Sequence, residues 1–434
     1  MKIEVKKPIS GGTVKAVASK SHAHRMLICA ALADADTYIE CNEMSNDINT
    51  TVECLENLGA CIKHDGAGFT VKPITRPISG DKTITQFCGE SGTTLRFMLP
   101  ICCALGVSAE FIMKGRLSER PMSPLLNELT SHGCEIINNT TTSESSATLR
   151  CSGKLSGGVY ELPGNISSQF ISGLLFALSL LPDDSVLSVI GREESRPYIA
   201  MTLEALDAFG ITTKRFATNP IKGAAYGVKG SQIHHSPGKA KIEGDWSNAA
   251  FWLCAGAIGT GGVTCTGLNL GSAQGDMSVL RLLERFGANV TYEGDRVTVT
   301  PAKLHAIQID AIDTPDLVPI LSVVAAVAEG ETLISNAGRL KMKESDRLQT
   351  ITETLYALGA NISESRANLI IKGVKSLIGG TVTSHNDHRI AMMSAIASLV
   401  CDNPVTILDA QAVNKSYPGF FSDFEALGGH IHNS

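Results

Sequence analysis

Leu55-Glu56-Asn57-Leu58-Gly59-Ala60 reads as the end of an amphipathic helix running out on a glycine, and the chain repeats this phrase five more times. The later copies are Leu126-Asn127-Glu128-Leu129 with Gly133, Leu203-Glu204-Ala205-Leu206 with Gly210, and Leu282-Leu283-Glu284-Arg285-Phe286-Gly287. Leu355-Tyr356-Ala357-Leu358-Gly359 and Phe424-Glu425-Ala426-Leu427-Gly428 complete the set. Their glycines, at 59, 133, 210, 287, 359 and 428, are separated by 74, 77, 77, 72 and 69 residues. Spacing this regular means one supersecondary unit used six times. Residues common to all six copies are scaffold, so polar groups found in only one copy are the candidates for chemistry.

Working outward from each copy, apolar residues three or four apart and a terminal glycine predict a surface helix with a C-cap, followed by a β-like run such as Asn368-Leu369-Ile370-Ile371. Earlier in every unit lies a stretch that is apolar on nearly all faces, which predicts a buried helix. These are His24 to Ala33, Leu95 to Leu105, Phe170 to Leu181, Ala249 to Ile258, Leu317 to Ala328 and Ile390 to Val400. Each opens on capping residues, and so presents free N–H groups and the positive end of its dipole. The unit is therefore strand, buried helix, strand, amphipathic helix, then one or two strands, the second of which would make it βαβαββ. The pattern predicts a two-lobed, inside-out α/β fold with three units per lobe, buried helices inside, and sheets and amphipathic helices outside. Pro237-Gly238 marks one crossover, and symmetry puts the other near Val17 to Lys20. The expected lobes are 1–19 with 239–434, and 20–238, the N-terminal strand joining the C-terminal half.

A net charge of −6 gives no global electrostatic case for nucleic acid or an anionic membrane, so an anionic partner must be held by local cations. The twelve cysteines are scattered, without C-x-x-C or metal-ligand spacing, which fits a reducing compartment and no structural metal. Apolar runs such as Ile171 to Leu181 are shorter than the roughly 18–20 residues of a membrane span. These features lead us to expect a soluble cytoplasmic protein.

The residues unique to single units are mostly cations and hydroxyls. Ser19-Lys20-Ser21-His22-Ala23-His24-Arg25 sets two cations about one turn apart at a helix start. Gly89-Glu90-Ser91-Gly92-Thr93-Thr94-Leu95-Arg96 allows close backbone approach to an anion, although no Walker A lysine follows. In Gly115-Arg116-Leu117-Ser118-Glu119-Arg120-Pro121 the proline holds Arg120 extended. Gly164-Asn165-Ile166-Ser167-Ser168-Gln169 and Ser195-Arg196-Pro197-Tyr198 offer hydroxyls, an amide, a cation and a phenol. Lys341-Met342-Lys343-Glu344-Ser345-Asp346-Arg347 places Lys343 and Arg347 four apart, hence on one helical face, with Glu344 between them. A carboxylate between cations is suited to proton transfer. Asn386-Asp387-His388-Arg389 opens a buried helix with adjacent cationic side chains, and Asn414-Lys415-Ser416-Tyr417-Pro418 adds another lysine. Taken singly, each motif also reads as an ordinary cap, turn or solvated helix start.

In this order, from Ser19 to Pro418, the motifs resemble the 5-enolpyruvylshikimate-3-phosphate (EPSP) synthase family. Lys343-Glu344-Ser345-Asp346-Arg347 and Asn386-Asp387-His388-Arg389 are the most specific parts. The resemblance implies helix N-termini converging on a cleft between lobes that closes over its substrates. It also implies transfer of the enolpyruvyl group of phosphoenolpyruvate to the 5-hydroxyl of shikimate 3-phosphate, with release of phosphate. By resemblance, Lys20, Ser21, Arg25, Ser167, Ser168, Gln169, Ser195, Tyr198, Asp316 and Lys343 hold shikimate 3-phosphate. Lys20, Gly92, Arg120, Gln169, Arg347, His388, Arg389 and Lys415 hold phosphoenolpyruvate. Asp316 is the expected base for the hydroxyl and Glu344 the expected proton donor to carbon, with Lys20 or Lys343 assisting. The lobe with 239–434 is the expected donor side. The implied enzyme needs no cofactor or metal and acts as a monomer on small molecules alone.

Two departures stand out. Glu90 occupies a position where many relatives carry Asn, and Arg339-Leu340-Lys341 lacks an Asn that often contacts the phosphorylated acid, leaving Arg339 or Lys341 as substitutes. Gly92 is compatible with inhibition by glyphosate, a phosphoenolpyruvate mimic. The nearest rival is UDP-N-acetylglucosamine enolpyruvyl transferase, whose usual cysteine position is Gly115 here. A non-catalytic anion-binding protein on the same units would need the cations but not Asp316 and Glu344.

Overall fold

A computed structural model describes residues 1–78, 82–139, 147–217 and 223–433. The chain separates into two compact units, one made of Met1–Ser19 with Glu243–Ser434 and the other of Lys20–Ile242. Each unit contains three copies of the repeat, with one buried and one amphipathic helix per copy. In chain order these are α1 (Lys20–Ala31) and α2 (Asn46–Asn57), α3 (Gly92–Leu105) and α4 (Leu125–Ser131), and α5 (Ser168–Leu178) and α6 (Arg196–Ala208). The remaining pairs are α7 (Trp246–Ile258) and α8 (Val279–Phe286), α9 (Val318–Val327) and α10 (Arg347–Ala357), and α11 (His388–Ala397) and α12 (Phe420–Ala426). The glycine that ends each amphipathic helix has positive φ, between 77° and 102°, so at each of the six positions a β-carbon would be strained.

Burial follows the sequence pattern. Every residue of α9 except Val327 is buried, as is every residue of α11, whereas α10 buries only one face. Among the described residues each unit has three four-stranded sheets of one topology. In the second copy, Ile84–Gly89 and Ala109–Met113 run parallel, linked through α3, and α4 leads into the antiparallel strands Cys134–Asn139 and Ala147–Gly153. Within the Lys20–Ile242 unit α3 and α5 approach so closely that a β-carbon on Gly173 would lie 2.2 Å from the Arg96 carbonyl oxygen.

Each unit is completed by strands distant in sequence. Ile3–Lys7 pairs antiparallel with Val405–Leu408 and with His430–Asn433, finishing the last sheet. Lys239–Lys241 pairs parallel with Tyr38–Glu40. That pairing moves one boundary: the division falls after Ile242, whereas the sequence pattern placed it after residue 238, because the turn at Pro237-Gly238 precedes one last strand of the same unit. Among the described residues no helix is long and apolar enough to cross a membrane.

Candidate functional site

In the unit containing Glu243–Ser434, the starts of α7, α9 and α11 carry a dense ion-pair cluster. Asp316 lies in a 3-10 turn, Pro315–Leu317, that leads into α9. Its Oδ1 accepts from Arg347 Nη1 at 2.8 Å and Lys343 Nζ at 3.2 Å, and its Oδ2 from Arg389 Nη2 at 3.2 Å. Arg347 opens α10 and is almost fully buried. It donates to Glu344 Oε2 at 2.7 Å and to both oxygens of Asp387, at 2.8 and 3.2 Å. Asp387 is the N-cap of α11, accepting the Arg389 amide. Arg389 also donates to the Ser247 hydroxyl, at 3.0 Å, on the first turn of α7. His388 is buried, with Nδ1 3.8 Å from Asp387 Oδ1. Lys415 Nζ binds the Asn386 carbonyl at 2.6 Å, just ahead of α11.

Electrostatics follow from this packing. Burial lowers the Lys343 pKa, with Asp316 acting against it. Burial also opposes the charge on Arg347, but Asp387, Glu344 and Asp316 outweigh it and raise the pKa. For Asp387, burial works toward the neutral acid, and Arg347 and His388 more than cancel it, leaving the carboxyl below its usual range. Two carboxylates, Asp316 and Glu344, thus share one buried guanidinium, and both are partly exposed.

In the Lys20–Ile242 unit, the starts of α3 and α5 are tied to each other, and α1 is tied to α2 and α6. Lys20, first residue of α1, pairs with Asp47 Oδ2 at 2.7 Å in the first turn of α2. Buried Arg25 donates to the Thr202 hydroxyl at 2.8 Å, to the Ser21 carbonyl at 2.6 Å and to the Tyr198 carbonyl at 2.9 Å, and lies over the Phe97 ring. Burial lowers its pKa to about 10, with Tyr198 and Cys29 acting against the shift. Ser195, with φ of 54°, precedes α6. Ser167 caps α5 by accepting the Gln169 amide, and Ser168 is the first residue of that helix. The Gln169 side chain is held at both ends, accepting from Arg96 Nη1 at 2.7 Å and donating to Thr93 Oγ1 at 2.8 Å. Gly92, first residue of α3, lies against Arg120: a β-carbon there would stand 2.6 Å from Arg120 Nη1. Arg120 is extended before Pro121, at φ −74° and ψ 137°.

The family model for EPSP synthase (3-phosphoshikimate 1-carboxyvinyltransferase) matches residues 3–424. The chain belongs to the EPSP synthase family. A relative from Clostridium perfringens strain 13, a 3-phosphoshikimate 1-carboxyvinyltransferase, is 41% identical over 425 residues, 96% of each chain. One of the same name from Clostridioides difficile strain 630 is 40% identical over 97% of this chain and 96% of its own. Among solved structures, the EPSP synthase of Acinetobacter baumannii superposes over 100% of both chains with a TM-score of 0.79 at 23% identity. The enolpyruvyl transferase NikO of Streptomyces tendae gives 0.75 at 19% identity, covering 99% of this chain and 98% of its own. At those identities the two structures establish the fold.

Within this family member one local reading of the sequence is corrected. Lys343 and Arg347 do not share a helical face: Lys343 is an extended residue after the turn Gly338–Met342, and α10 begins only at Arg347. Asp346 caps α10 and so fixes its start, and Asp316 draws the two cations together instead. Lys341, one of the two substitutes for the absent Asn, pairs with Glu364 at 2.8 Å. Other side chains in the clusters were given no role by sequence reasoning. Asp387 and Arg96 stood inside quoted motifs, Asp387 as a cap and Arg96 one helical turn beyond Gly92. Asp47 carried no signal, since a single Asp in a helix's first turn is ordinary.

Proposed function

We propose that this chain transfers the enolpyruvyl group of phosphoenolpyruvate to the 5-hydroxyl of shikimate 3-phosphate, releasing phosphate, as a step of aromatic amino acid biosynthesis. The observation that carries the reading is the pair Asp316 and Glu344 on one buried guanidinium, with Lys343 and Arg389 completing the cation set. The names of relatives near 40% identity over almost the whole chain support it.

The chemistry needs a proton on carbon and a base on a hydroxyl. Protonation of the phosphoenolpyruvate methylene creates positive charge at C2, and the 5-hydroxyl attacks there as its proton leaves. The tetrahedral adduct then loses a methyl proton and expels phosphate, regenerating the enol ether. Asp316 takes the hydroxyl proton and Glu344 serves the carbon, with Lys343 or Lys20 assisting. Burial lowers the Lys343 pKa, which eases the release of its proton. Lys343 and Asp316 also bind the acceptor, as do Lys20, Ser21, Arg25, Ser167, Ser168, Gln169, Ser195 and Tyr198. Lys20, Gly92, Arg120, Gln169, Arg347, His388, Arg389 and Lys415 bind the donor. A charge-assisted hydrogen bond contributes about 1.5–3 kcal/mol, so holding two polyanions takes several of these groups. Glyphosate competes for the donor groups. The enzyme acts as a cytoplasmic monomer, without cofactor.

The test is phosphate release from phosphoenolpyruvate, with shikimate 3-phosphate and UDP-N-acetylglucosamine as alternative acceptors. Release dependent on shikimate 3-phosphate is expected. Release with the nucleotide sugar alone, or with neither, overturns the reading.

A further inference from the structure

Asp387 does more than cap a helix. A cap needs one side-chain oxygen, and the Arg389 amide takes Oδ1 at 2.9 Å. Asp387 also grips the Nε–Nη2 edge of Arg347 with both oxygens, at 2.8 and 3.2 Å, and accepts the Ser345 hydroxyl at 3.0 Å. Its side chain is 0% exposed, whereas Asp316 and Glu344, on the other N–H groups of the same guanidinium, are 14% and 21% exposed. Arg347 therefore has one carboxylate partner sealed in the interior and two at the accessible edge.

Under the function proposed above, on which this inference rests, Arg347 meets a polyanion. The N–H groups that could receive it are those now bound to Asp316 and Glu344. A substrate anion must take their place, and the two displaced carboxylates are those given the proton-transfer roles. A guanidinium stripped of two of three partners keeps its orientation only if the third fixes its plane, and a two-oxygen grip on a planar fork does so. We propose that Asp387 is a positioning residue for the transfer, holding Arg347 in plane while phosphoenolpyruvate displaces Asp316 and Glu344 from its outer N–H groups. The same carboxylate starts α11, so it registers Arg389 against Arg347 as well.

Asp387→Asn retains an oxygen for the cap but loses the charge and one arm of the grip. It should raise KM for phosphoenolpyruvate by at least about tenfold. KM for shikimate 3-phosphate should stay within about twofold. Ser345→Ala, which leaves the carboxylate intact and removes one of its supports, should raise the same donor constant by roughly two- to fivefold. An unchanged donor KM, or both constants rising together, overturns the proposal, and Ser345→Ala decides it where Asp387→Asn fails to fold. Direct calorimetric binding of phosphoenolpyruvate separates this from the activity itself. A wild-type chain without shikimate 3-phosphate-dependent phosphate release would refute the proposed function. In that event weaker phosphoenolpyruvate binding by the variants would still support the positioning role, and equal binding would end it.

Discussion

Replacing Gly92 with alanine separates anion binding from folding. The new β-carbon would lie 2.6 Å from Arg120 Nη1, 3.0 Å from Cζ and 3.3 Å from Nη2. Restoring ordinary contact, near 3.5 Å, moves the guanidinium by about 1 Å, and as the end of a flexible side chain it can yield without disturbing the backbone. Alanine in a helix is itself favoured over glycine by roughly 0.5–1 kcal/mol, so stability should hold. The damage falls on whatever Arg120 binds. Losing one charge-assisted hydrogen bond costs about 1.5–3 kcal/mol, or roughly 10- to 150-fold in affinity. We expect KM for phosphoenolpyruvate, and the inhibition constant of glyphosate, to rise by at least about tenfold, with Tm unchanged within about 2 °C. Phosphate-release kinetics over a phosphoenolpyruvate titration, with a parallel thermal melt, measure both. Unchanged donor and inhibitor constants, or a Tm that collapses with them, would refute the reasoning.

Asp316→Ala and Glu344→Gln should each retain phosphoenolpyruvate binding by calorimetry while kcat falls by about 10²–10⁴; near-normal turnover in both would remove them from the mechanism. The stability of the chain should fall with acid. His24 is fully buried and held well below its usual pKa by burial, with Lys20 and Arg25 adding to it, and burial brings His234 to about 4. Both bind protons more readily when unfolded, so their contribution is complete above about pH 6.5 and is lost as pH drops toward the folded values. The loss should approach roughly 1.4 kcal/mol per pH unit for each histidine, and a urea midpoint that stays flat from pH 7 to 5 would contradict it. Gly173→Ala should destabilise the protein by about 1–3 kcal/mol despite the better helix former, because its β-carbon meets the α3 backbone at 2.2 Å. A raised Tm would show that the two helices can part at no cost.

The repeat was legible because it is written in two strong signals, apolar periodicity and the glycine whose positive φ ends each amphipathic helix. Among the described residues, all twelve α-helices occur where those signals put them. The strand Lys239–Lys241 was not foreseen, since three residues beside a Pro-Gly turn carry no pattern of their own and owe their pairing to Tyr38–Glu40. Among site residues, cations at helix starts stood out because capping does not require them. Their partners did not: Asp47 and Asp387 look like ordinary first-turn acids and caps until the fold brings Lys20 and Arg347 to them. The local geometry of Lys343 was misjudged for a related reason, as four-residue spacing implies a shared face only where the helix is continuous.

Closure of the last sheet by Ile3–Lys7 has a consequence for how the chain is made. That strand emerges from the ribosome about 400 residues before Val405–Leu408 and His430–Asn433, the strands it joins. At roughly 5–20 residues per second it waits about 20–80 s with its backbone edge uncovered. Meanwhile the Lys20–Ile242 unit, whose segments are contiguous in the chain, can finish folding behind it. Biogenesis is thus staggered: one half can be complete before the other has received its closing strands, and Ile3–Lys7 is the stretch that a holdase has most reason to cover.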